Sequence, residues 1–242
     1  MKTGLVYDWL IQIGGGEKTL AAIAEMGSYP IYALIADQKQ KFFSDWIVHT
    51  SFLQNFPFAK QCYRYYLPFF SRAIESFDVS SYDCVLSVSH AVAKGIRTHA
   101  NQLHLCYCFT PMRYAWDLAE CYMEGLHPVK RWMAQAVLAK LRRWDRNTSH
   151  VQYFAAISHC VAERIQRIYG RTATVIYPPV DTDTFCLDEN KEDYYLTVSR
   201  MVPYKKIDLI VEAFASCPDK KLVVIGDGPE MQAVKKKARK NL

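Results

Sequence analysis

Short apolar segments alternate with amphipathic segments through most of the chain, and this alternation restricts the possible folds more than any other feature. The apolar segment Lys2–Tyr7 precedes a helical pattern at Glu17–Met26, and the same order recurs several times. Strands that are apolar on both faces and separated by helices are typical of a parallel sheet covered by helices on both sides. The sequence therefore predicts an α/β fold. Further strands are predicted at Tyr29–Ile35, Tyr82–Ser87, Leu103–Cys108, Gln152–Ile157 and Thr174–Tyr177, and further helices at His127–Asn147 and Cys160–Tyr169.

A second series of the same kind begins near residue 193, after Pro178–Pro179 has interrupted the first series. Its predicted elements are two strands and two helices: Tyr194–Val198, Lys206–Ala215, Leu222–Ile225 and a helix from Glu230. A doubly wound lobe usually contains about five or six parallel strands, so the second series is expected to be an incomplete lobe. The predicted division is a first lobe at 1–180, a linker at 181–192 and the start of a second lobe at 193–242.

Composition and charge describe an ordinary globular protein with a mild excess of positive charge. The 242 residues are 50% hydrophobic and 22% charged, and the formal net charge is +6. This excess favours an anionic ligand or an anionic membrane surface, but it is too diffuse to indicate nucleic acid. The eight cysteines, with no signal peptide before them, indicate a reducing cytoplasmic location. Cys106 and Cys108 are interpreted as buried side chains on opposite faces of a strand and not as zinc ligands.

A run of glycines, Gly14–Gly16, follows the first predicted strand and opens the first predicted helix. Glycine lets the backbone approach a ligand closely, and the N-terminus of a helix favours negative charge. The run lacks the full spacing of a dinucleotide-binding fingerprint. It therefore indicates either an anion-binding loop or a plain tight turn.

Two cations, Arg200 and Lys205, lie between a predicted strand and the helix that follows it. This position is the carboxyl end of a parallel sheet, where open α/β folds bind their ligands. Guanidinium and ammonium groups suit phosphate oxygens. Cations are unfavourable at the start of a helix unless an anion joins them, so the pattern favours a phosphate site over a row of surface charges.

Several long strings of the sequence occur in the order expected of one enzyme family. They are YDCVLSVSHAVAKGI at 82–96, CYCFTPMRYAWDL at 106–118, AISHCVAERIQRIYGRTATVIYPPVDTDTF at 156–185, SRMVPYKKIDLIVEAF at 199–214 and KLVVIGDGPE at 221–230. Together with the glycine run they resemble family 4 (group 1) retaining glycosyltransferases, most of all the bacterial branch that builds O-antigen and exopolysaccharide chains. The resemblance implies an α/β fold of the GT-B type, with two doubly wound, Rossmann-like lobes of which the second is incomplete.

The resemblance implies roles for residues of both lobes. Arg200 and Lys205 would bind the diphosphate of a nucleotide sugar and stabilise it as the leaving group, which makes them catalytic residues. The residues implied in donor binding are Gly15, Gly16, Arg200, Lys205, Gly226, Asp227 and Gly228.

The resemblance also places three residues at strand ends that face the cleft: His90, Thr110 and Arg113. Thr110 and Arg113 would lie on the acceptor side. Many relatives carry a histidine where this chain has Phe109, and that histidine commonly contacts the transferred sugar. His90 is interpreted either as a catalytic replacement for it or as an ordinary side chain at a strand end.

The implied substrate is a nucleotide-diphosphate sugar such as GDP-mannose, with no cofactor and no bound metal. Asp181-Thr182-Asp183 matches the metal-binding motif of the other, GT-A, class of glycosyltransferases, but its place between the predicted lobes favours a linker. The family's glutamate pair, which holds the donor sugar and ribose, would lie beyond Leu242. The chain by itself is therefore expected not to catalyse transfer.

The predicted function is retaining, metal-independent transfer of a sugar, mannose for this branch, to a glycan or polyprenyl-linked acceptor in polysaccharide biosynthesis. The segment Phe52–Phe77 mixes aromatic side chains with Lys60, Arg64 and Arg72. This pattern is typical of peripheral contact with the inner face of the plasma membrane, or of core packing. The alternatives are a non-catalytic acceptor-binding module, a decayed gene product, and a nucleotide-sugar epimerase, against which the PMRYAWDL string speaks.

Overall fold

The computed structural model describes residues 1–147, 150–184, 187 and 189–238. The chain divides into two compact units, Met1–Val180 and Asp181–Leu242, which are called unit 1 and unit 2 below. Of the linker predicted at 181–192, residues 185, 186 and 188 lie outside the described part of the chain.

Unit 1 is built on one sheet whose described strands all run parallel. The strand order is β3-β2-β1-β4-β5-β6-β7, so the chain winds outward from β1 to β3 and then returns to place β4 on the other side of β1. This order is doubly wound, with its switch point between β1 and β4, where α/β folds bind ligands. The strands are β1 Thr3–Tyr7, β2 Ile31–Ala33, β3 Val48–Thr50, β4 Cys84–Ser89, β5 Leu103–Cys108, β6 Tyr153–Ala156 and β7 Ala173–Val175.

Helices cover both faces of this sheet. On β1, Leu5 and Tyr7 pack into one apolar cluster and Val6 packs into another, because successive side chains point to opposite faces of a strand. The α-helices of unit 1 are α1 Gly15–Ala24, α2 Ala59–Cys62, α3 Phe70–Glu75, α4 Ala119–Met123, α5 Pro128–Arg146 and α6 His159–Tyr169. Short 3₁₀ helices lie at Lys41–Phe43, Phe52–Asn55, Tyr63–Phe69 and Ala93–Gly95.

Two differences from the sequence analysis concern the strands. The edge strand β3 was not predicted, because its three residues, Val48–Thr50, are half-buried or exposed and form no apolar run. The expectation that Cys106 and Cys108 point to opposite faces is wrong. Both are buried in one cluster with Phe154 and Val161, because residues separated by one position share a face of a strand.

Unit 2 contains two parallel strands, β8 Tyr195–Val198 and β9 Leu222–Ile225, and the helices α7 Ile207–Ala215 and α8 Met231–Lys237. A 3₁₀ helix at Pro203–Lys205 precedes α7. The core of this unit is small and consists of Met201, Ile207, Val211, Leu222 and Val234.

A bilayer span would need a helix that is both long and apolar. Within the described residues, no helix meets both conditions.

Candidate functional site

A large cavity in unit 1 opens at the carboxyl ends of β1, β4 and β5. Its volume is about 980 Å³, which is in the range of small-molecule binding sites. The cavity brings together the five residues of unit 1 that the sequence analysis named: Gly15, Gly16, His90, Thr110 and Arg113. It lies at the switch point of the sheet, where the strand order predicts a ligand.

Asp8 directly follows β1 and does not line the cavity, but it holds the turn that carries His90. The end of the cavity next to His90 is called its polar end below. Its carboxylate is fully buried and accepts four backbone N–H groups from the turn after β4, those of residues 90, 91, 92 and 93, at 2.5–2.9 Å. Burial alone would raise the pKa of Asp8, but the charge of His90 and the hydrogen bonds outweigh it, so the pKa lies below its ordinary value. Asp8 is therefore a buried carboxylate that fixes the position of the turn.

His90 is held by the same carboxylate. Its Nδ1 lies 2.9 Å from Oδ2 of Asp8, and its ring packs edge-on against Trp9 with 4.6 Å between centroids. Burial lowers the pKa of His90, but the charge and hydrogen bond of Asp8 outweigh burial, so the pKa is raised above 6.5. Since Nδ1 faces Asp8, Nε2 is the ring nitrogen left for a ligand, and it makes no hydrogen bond within the described residues.

The glycine run forms the N-terminus of α1 beside His90. Glu17 locks it in place, because Oε2 accepts the N–H of Gly14 at 2.9 Å while Oε1 accepts the hydroxyl of Tyr7 at 2.9 Å. The N–H groups of the first helical turn have no partner within the helix and are available to an acceptor. A Cβ atom on Gly16 would lie 2.6 Å from Oη of Tyr7 and 3.0 Å from Cε2 of Phe109, whereas a Cβ on Gly15 would meet no atom within 4 Å.

We expect Gly16→Ala to destabilise unit 1 by about 1–3 kcal/mol, because the new methyl group must displace Tyr7 from Glu17 or push Phe109 aside. Gly15→Ala is the matched control, since it adds the same methyl group at the start of the same helix but into open space. Its effect should be near zero or slightly stabilising. Guanidinium unfolding followed by tryptophan fluorescence measures both, because all five tryptophans lie in unit 1. Equal effects of the two substitutions would contradict the close packing of Gly16.

Phe109, Thr110 and Arg113 follow β5 and line the cavity. The ring of Phe109 packs against Tyr107 with 5.6 Å between centroids, and it offers a ligand only apolar surface. The hydroxyl of Thr110 donates to the carbonyl oxygen of Pro111 at 3.0 Å, while Arg113 is exposed. His90 is the one histidine among the described residues that line the cavity.

The rest of the cavity is mainly apolar. Its walls come from the 3₁₀ helix at Tyr63–Phe69 and from α5, through Tyr63, Leu67, Pro68, Met133, Ala134, Val137 and Leu138. In the segment Phe52–Phe77, Phe70 belongs to the buried core, whereas Phe58 and Tyr65 are 75% and 83% exposed.

In unit 2, Arg200 and Lys205 lie in the loop after β8, and both are exposed. Within the described residues neither cation forms an ion pair. The neighbouring loop after β9 packs backbone to backbone on this segment, since a Cβ on Gly226 would lie 1.9 Å from the carbonyl oxygen of Ser199. The N–H of Met201 donates to the carbonyl oxygen of Asp227 at 2.8 Å. The structure therefore brings the predicted donor-binding residues of unit 2 together at the carboxyl ends of its two strands.

The Asp181-Thr182-Asp183 segment forms a local turn. The carboxylate of Asp181 accepts the N–H groups of Asp183 and Thr184 at 3.1 and 3.0 Å and the Thr184 hydroxyl at 2.6 Å. Among the residues that the structure describes, no group of three or more histidine, cysteine or acidic side chains is arranged to hold a metal ion.

The model of the family described as "Glycosyl transferases group 1" matches residues 183–242. For that part of the chain, this match confirms the resemblance to glycosyltransferases that the sequence analysis drew. No curated protein matches the chain.

Solved structures resemble nearly the whole chain. The crystal structure of Anabaena Alr3699/HepE in complex with UDP has a TM-score of 0.57 at 17% sequence identity, covering 98% of this chain and 64% of that chain. The complex of the same protein with UDP and glucose has a TM-score of 0.55 at 15% identity, with the same coverage. This likeness confirms the predicted fold class, an α/β fold of the GT-B type. The chain spans 64% of the length of this relative.

Sequence reasoning missed Asp8 and the structural role of Glu17. The position of Asp8 directly after an apolar strand could have indicated a structural role, because a carboxylate that is buried there requires hydrogen-bonding partners. The partners themselves lie 82–85 residues further along the chain, and no local pattern reveals them.

Proposed function

We propose that this chain is a glycosyltransferase that moves a sugar from a nucleotide-diphosphate sugar to a glycan or lipid-linked acceptor. The observation that carries the proposal is the match of residues 183–242 to group 1 glycosyltransferases, because the matched part holds Arg200 and Lys205. As the glycosidic bond breaks, negative charge grows on the departing diphosphate. Fixed cations beside it then stabilise the transition state more than the ground state.

The proposed donor is GDP-mannose, and transfer is proposed to retain the anomeric configuration, as in the resembling branch. A uridine-diphosphate sugar is the alternative, since the Anabaena relative was crystallised with UDP. Gly15 and Gly16 in unit 1, and the Gly226–Gly228 loop in unit 2, are proposed as backbone contacts of the donor. Arg200 and Lys205 supply the positive charge that a metal would otherwise provide, so no metal or cofactor is part of the proposal.

The cavity of unit 1 is proposed to bind the acceptor. Thr110 and Arg113 offer polar contacts at one end, and the apolar walls suit the hydrocarbon part of a polyprenyl-linked acceptor. The exposed rings of Phe58 and Tyr65 lie in a segment with Lys60 and Arg64, which supports peripheral contact with the inner face of the plasma membrane. Sedimentation with anionic vesicles tests this contact, and equal binding to neutral vesicles would argue against it.

The direct test is transfer by the protein with a complete donor-binding lobe. We expect GDP release from GDP-mannose, or UDP release from UDP-glucose, that depends on added lipid-linked acceptor and is unchanged by EDTA. NMR of the product should show the anomeric configuration of the donor. Loss of activity in EDTA would exclude the metal-independent mechanism, and an inverted product would exclude retention.

A second candidate is a non-catalytic acceptor-binding module. It is favoured by one observation: the cavity and the Asp8–His90 pair that organises it belong entirely to unit 1. Acceptor binding without nucleotide binding or nucleotide release would support this candidate. Conversion of the nucleotide sugar in the absence of any acceptor would instead indicate an epimerase.

A further inference from the structure

The charged side chains that line the cavity of unit 1 all have one sign. Among its described lining residues, Arg64, His90 and Arg113 are cationic or can become so, and none is an aspartate or glutamate. Two carboxylates lie close to the polar end without lining the cavity: that of Asp8 is fully buried and engaged by four N–H groups, and that of Glu17 accepts the N–H of Gly14 and the hydroxyl of Tyr7. A ligand in this cavity therefore meets positive charge that no acidic lining residue offsets, which favours an anion.

The orientation of His90 is fixed by two contacts. Asp8 approaches Nδ1 at 2.9 Å, and the ring of Trp9 packs edge-on against the imidazole. A carboxylate this close to one ring nitrogen favours the tautomer with its proton there, which leaves the other nitrogen for a ligand. Nε2 is consequently the atom that His90 presents to the cavity. The backbone N–H groups at the start of α1, at Gly15 and Gly16, line the same cavity.

We propose that Asp8 and His90 form a dyad in which Asp8 positions His90, and protonated His90 donates Nε2–H to a phosphate oxygen of the ligand in the cavity. Asp8 touches no ligand and is a positioning residue. The proposal rests on the proposed function, because it names the group of the substrate that this site recognises. The phosphate has two sources, the diphosphate of a nucleotide donor or the phosphate that links an acceptor to its lipid.

The groups that face His90 support its protonated form on balance. Burial acts against the charge, and so does Arg113, while Asp8 and Glu17 favour it, and the net effect is a pKa raised above 6.5. Tyr7, whose ring lies 5.5 Å from the imidazole, stays neutral because burial and Glu17 raise its pKa far above the ordinary value. Affinity for phosphate should therefore be greatest below the raised pKa of His90 and should fall as the pH rises through it.

The first experiment examines the dyad without any ligand or turnover. Nitrogen-15 NMR of the full chain, labelled at histidine, should give a pKa above 6.5 for His90 and a neutral form protonated on Nδ1. Asp8→Asn should lower that pKa and mix the tautomers. If this variant does not fold, the tautomer in the native chain decides, and a neutral form protonated on Nε2 overturns the proposal.

The second experiment measures binding of two probes, dodecyl phosphate and GDP, to the native chain and to His90→Gln. We expect about a tenfold loss of affinity in the variant for the probe that uses the site, which identifies the source of the phosphate. His49→Gln is the matched control, because His49 lies on the edge strand β3 and does not line the cavity. Uncharged dodecyl maltoside should bind both variants like the native chain.

Alkyl phosphates themselves titrate near pH 6, so the comparison is made between the native chain and His90→Gln at each pH. The difference between them should shrink as the pH rises through the pKa of His90. Equal affinities of the native chain and His90→Gln for both probes at every pH would overturn the proposal. Phosphate binding that depends on His90, together with no sugar transfer by the protein with a complete donor-binding lobe, would leave the dyad standing and would defeat the proposed function instead.

Discussion

In the protein with a complete donor-binding lobe, replacing Arg200 or Lys205 by alanine should slow sugar transfer about a hundredfold in each case, the largest functional effect that we expect. Both side chains are exposed and outside the small core of unit 2, so their removal should leave the fold intact. What is lost is a charged donor to the departing diphosphate, whose charge is greatest in the transition state. Initial rates of nucleotide release measure the effect.

The double variant should lose less than the product of the two single losses, because both cations act on one anion and are not independent. Lys236→Ala is a suitable control, since Lys236 is an exposed lysine of α8 in the same unit. Near-native rates in both single variants would show that this loop is not the diphosphate site. Equal losses in the control would show only that net charge matters.

Elements with a long apolar pattern were predicted from the sequence to within a few residues. The strand β5 was predicted with its observed bounds, Leu103–Cys108, and β9 likewise at Leu222–Ile225. A continuous apolar run indicates such a strand from local sequence alone, although only Leu222 of β9 is buried. The 3₁₀ helices between residues 41 and 69 were not predicted, because short turns of this kind depend on what the rest of the chain packs against them.

The grouping of His90, Thr110 and Arg113 could be expected for a simple reason. All follow parallel strands, and the carboxyl ends of such strands meet at one edge of the sheet, so the order of elements already brings the side chains together. Their proposed roles in transfer remain predictions. Asp8 also directly follows a parallel strand and could have been grouped with His90 in the same way. The four N–H groups that it accepts could not be predicted, because they belong to a turn whose conformation the sequence does not specify.

Sequence reasoning also missed the role of Lys94. Its position in the apolar string AVAKGI could have indicated that this lysine is buried. It is 2% exposed and its Nζ lies 2.8 Å from Oδ1 of Asp145, which is fully buried. Nζ also donates to the carbonyl oxygen of Asp145 at 2.7 Å and lies 4.7 Å from the ring centre of Tyr169. The other oxygen, Oδ2 of Asp145, accepts from Trp116 and Tyr169 at 2.7 and 2.9 Å. This pair therefore joins the turn after β4 to the end of α5 and to α6.

We expect Lys94→Met to reduce the free energy of unfolding of unit 1 by about 3–5 kcal/mol. The methionine fills similar volume, so the loss comes mainly from the buried charge of Asp145, which is left without its cation. Adding Asp145→Asn should recover part of that loss, because the amide is neutral and its oxygen can still accept from Trp116 and Tyr169. Guanidinium unfolding followed by tryptophan fluorescence measures both variants, since the fluorescence reports on unit 1 alone.

The partly exposed pair of Lys60 and Asp37 provides the matched comparison. These side chains are 32% and 26% exposed, so water already solvates much of both charges and screens their attraction. Lys60→Met should accordingly cost less than about 1 kcal/mol. Both substitutions remove the cation of an ion pair, but only Lys94→Met leaves a fully buried carboxylate behind. Equal losses in the free energy of unfolding would mean that desolvation of Asp145 is not what makes Lys94 necessary. Failure of Asp145→Asn to recover stability would lead to the same conclusion.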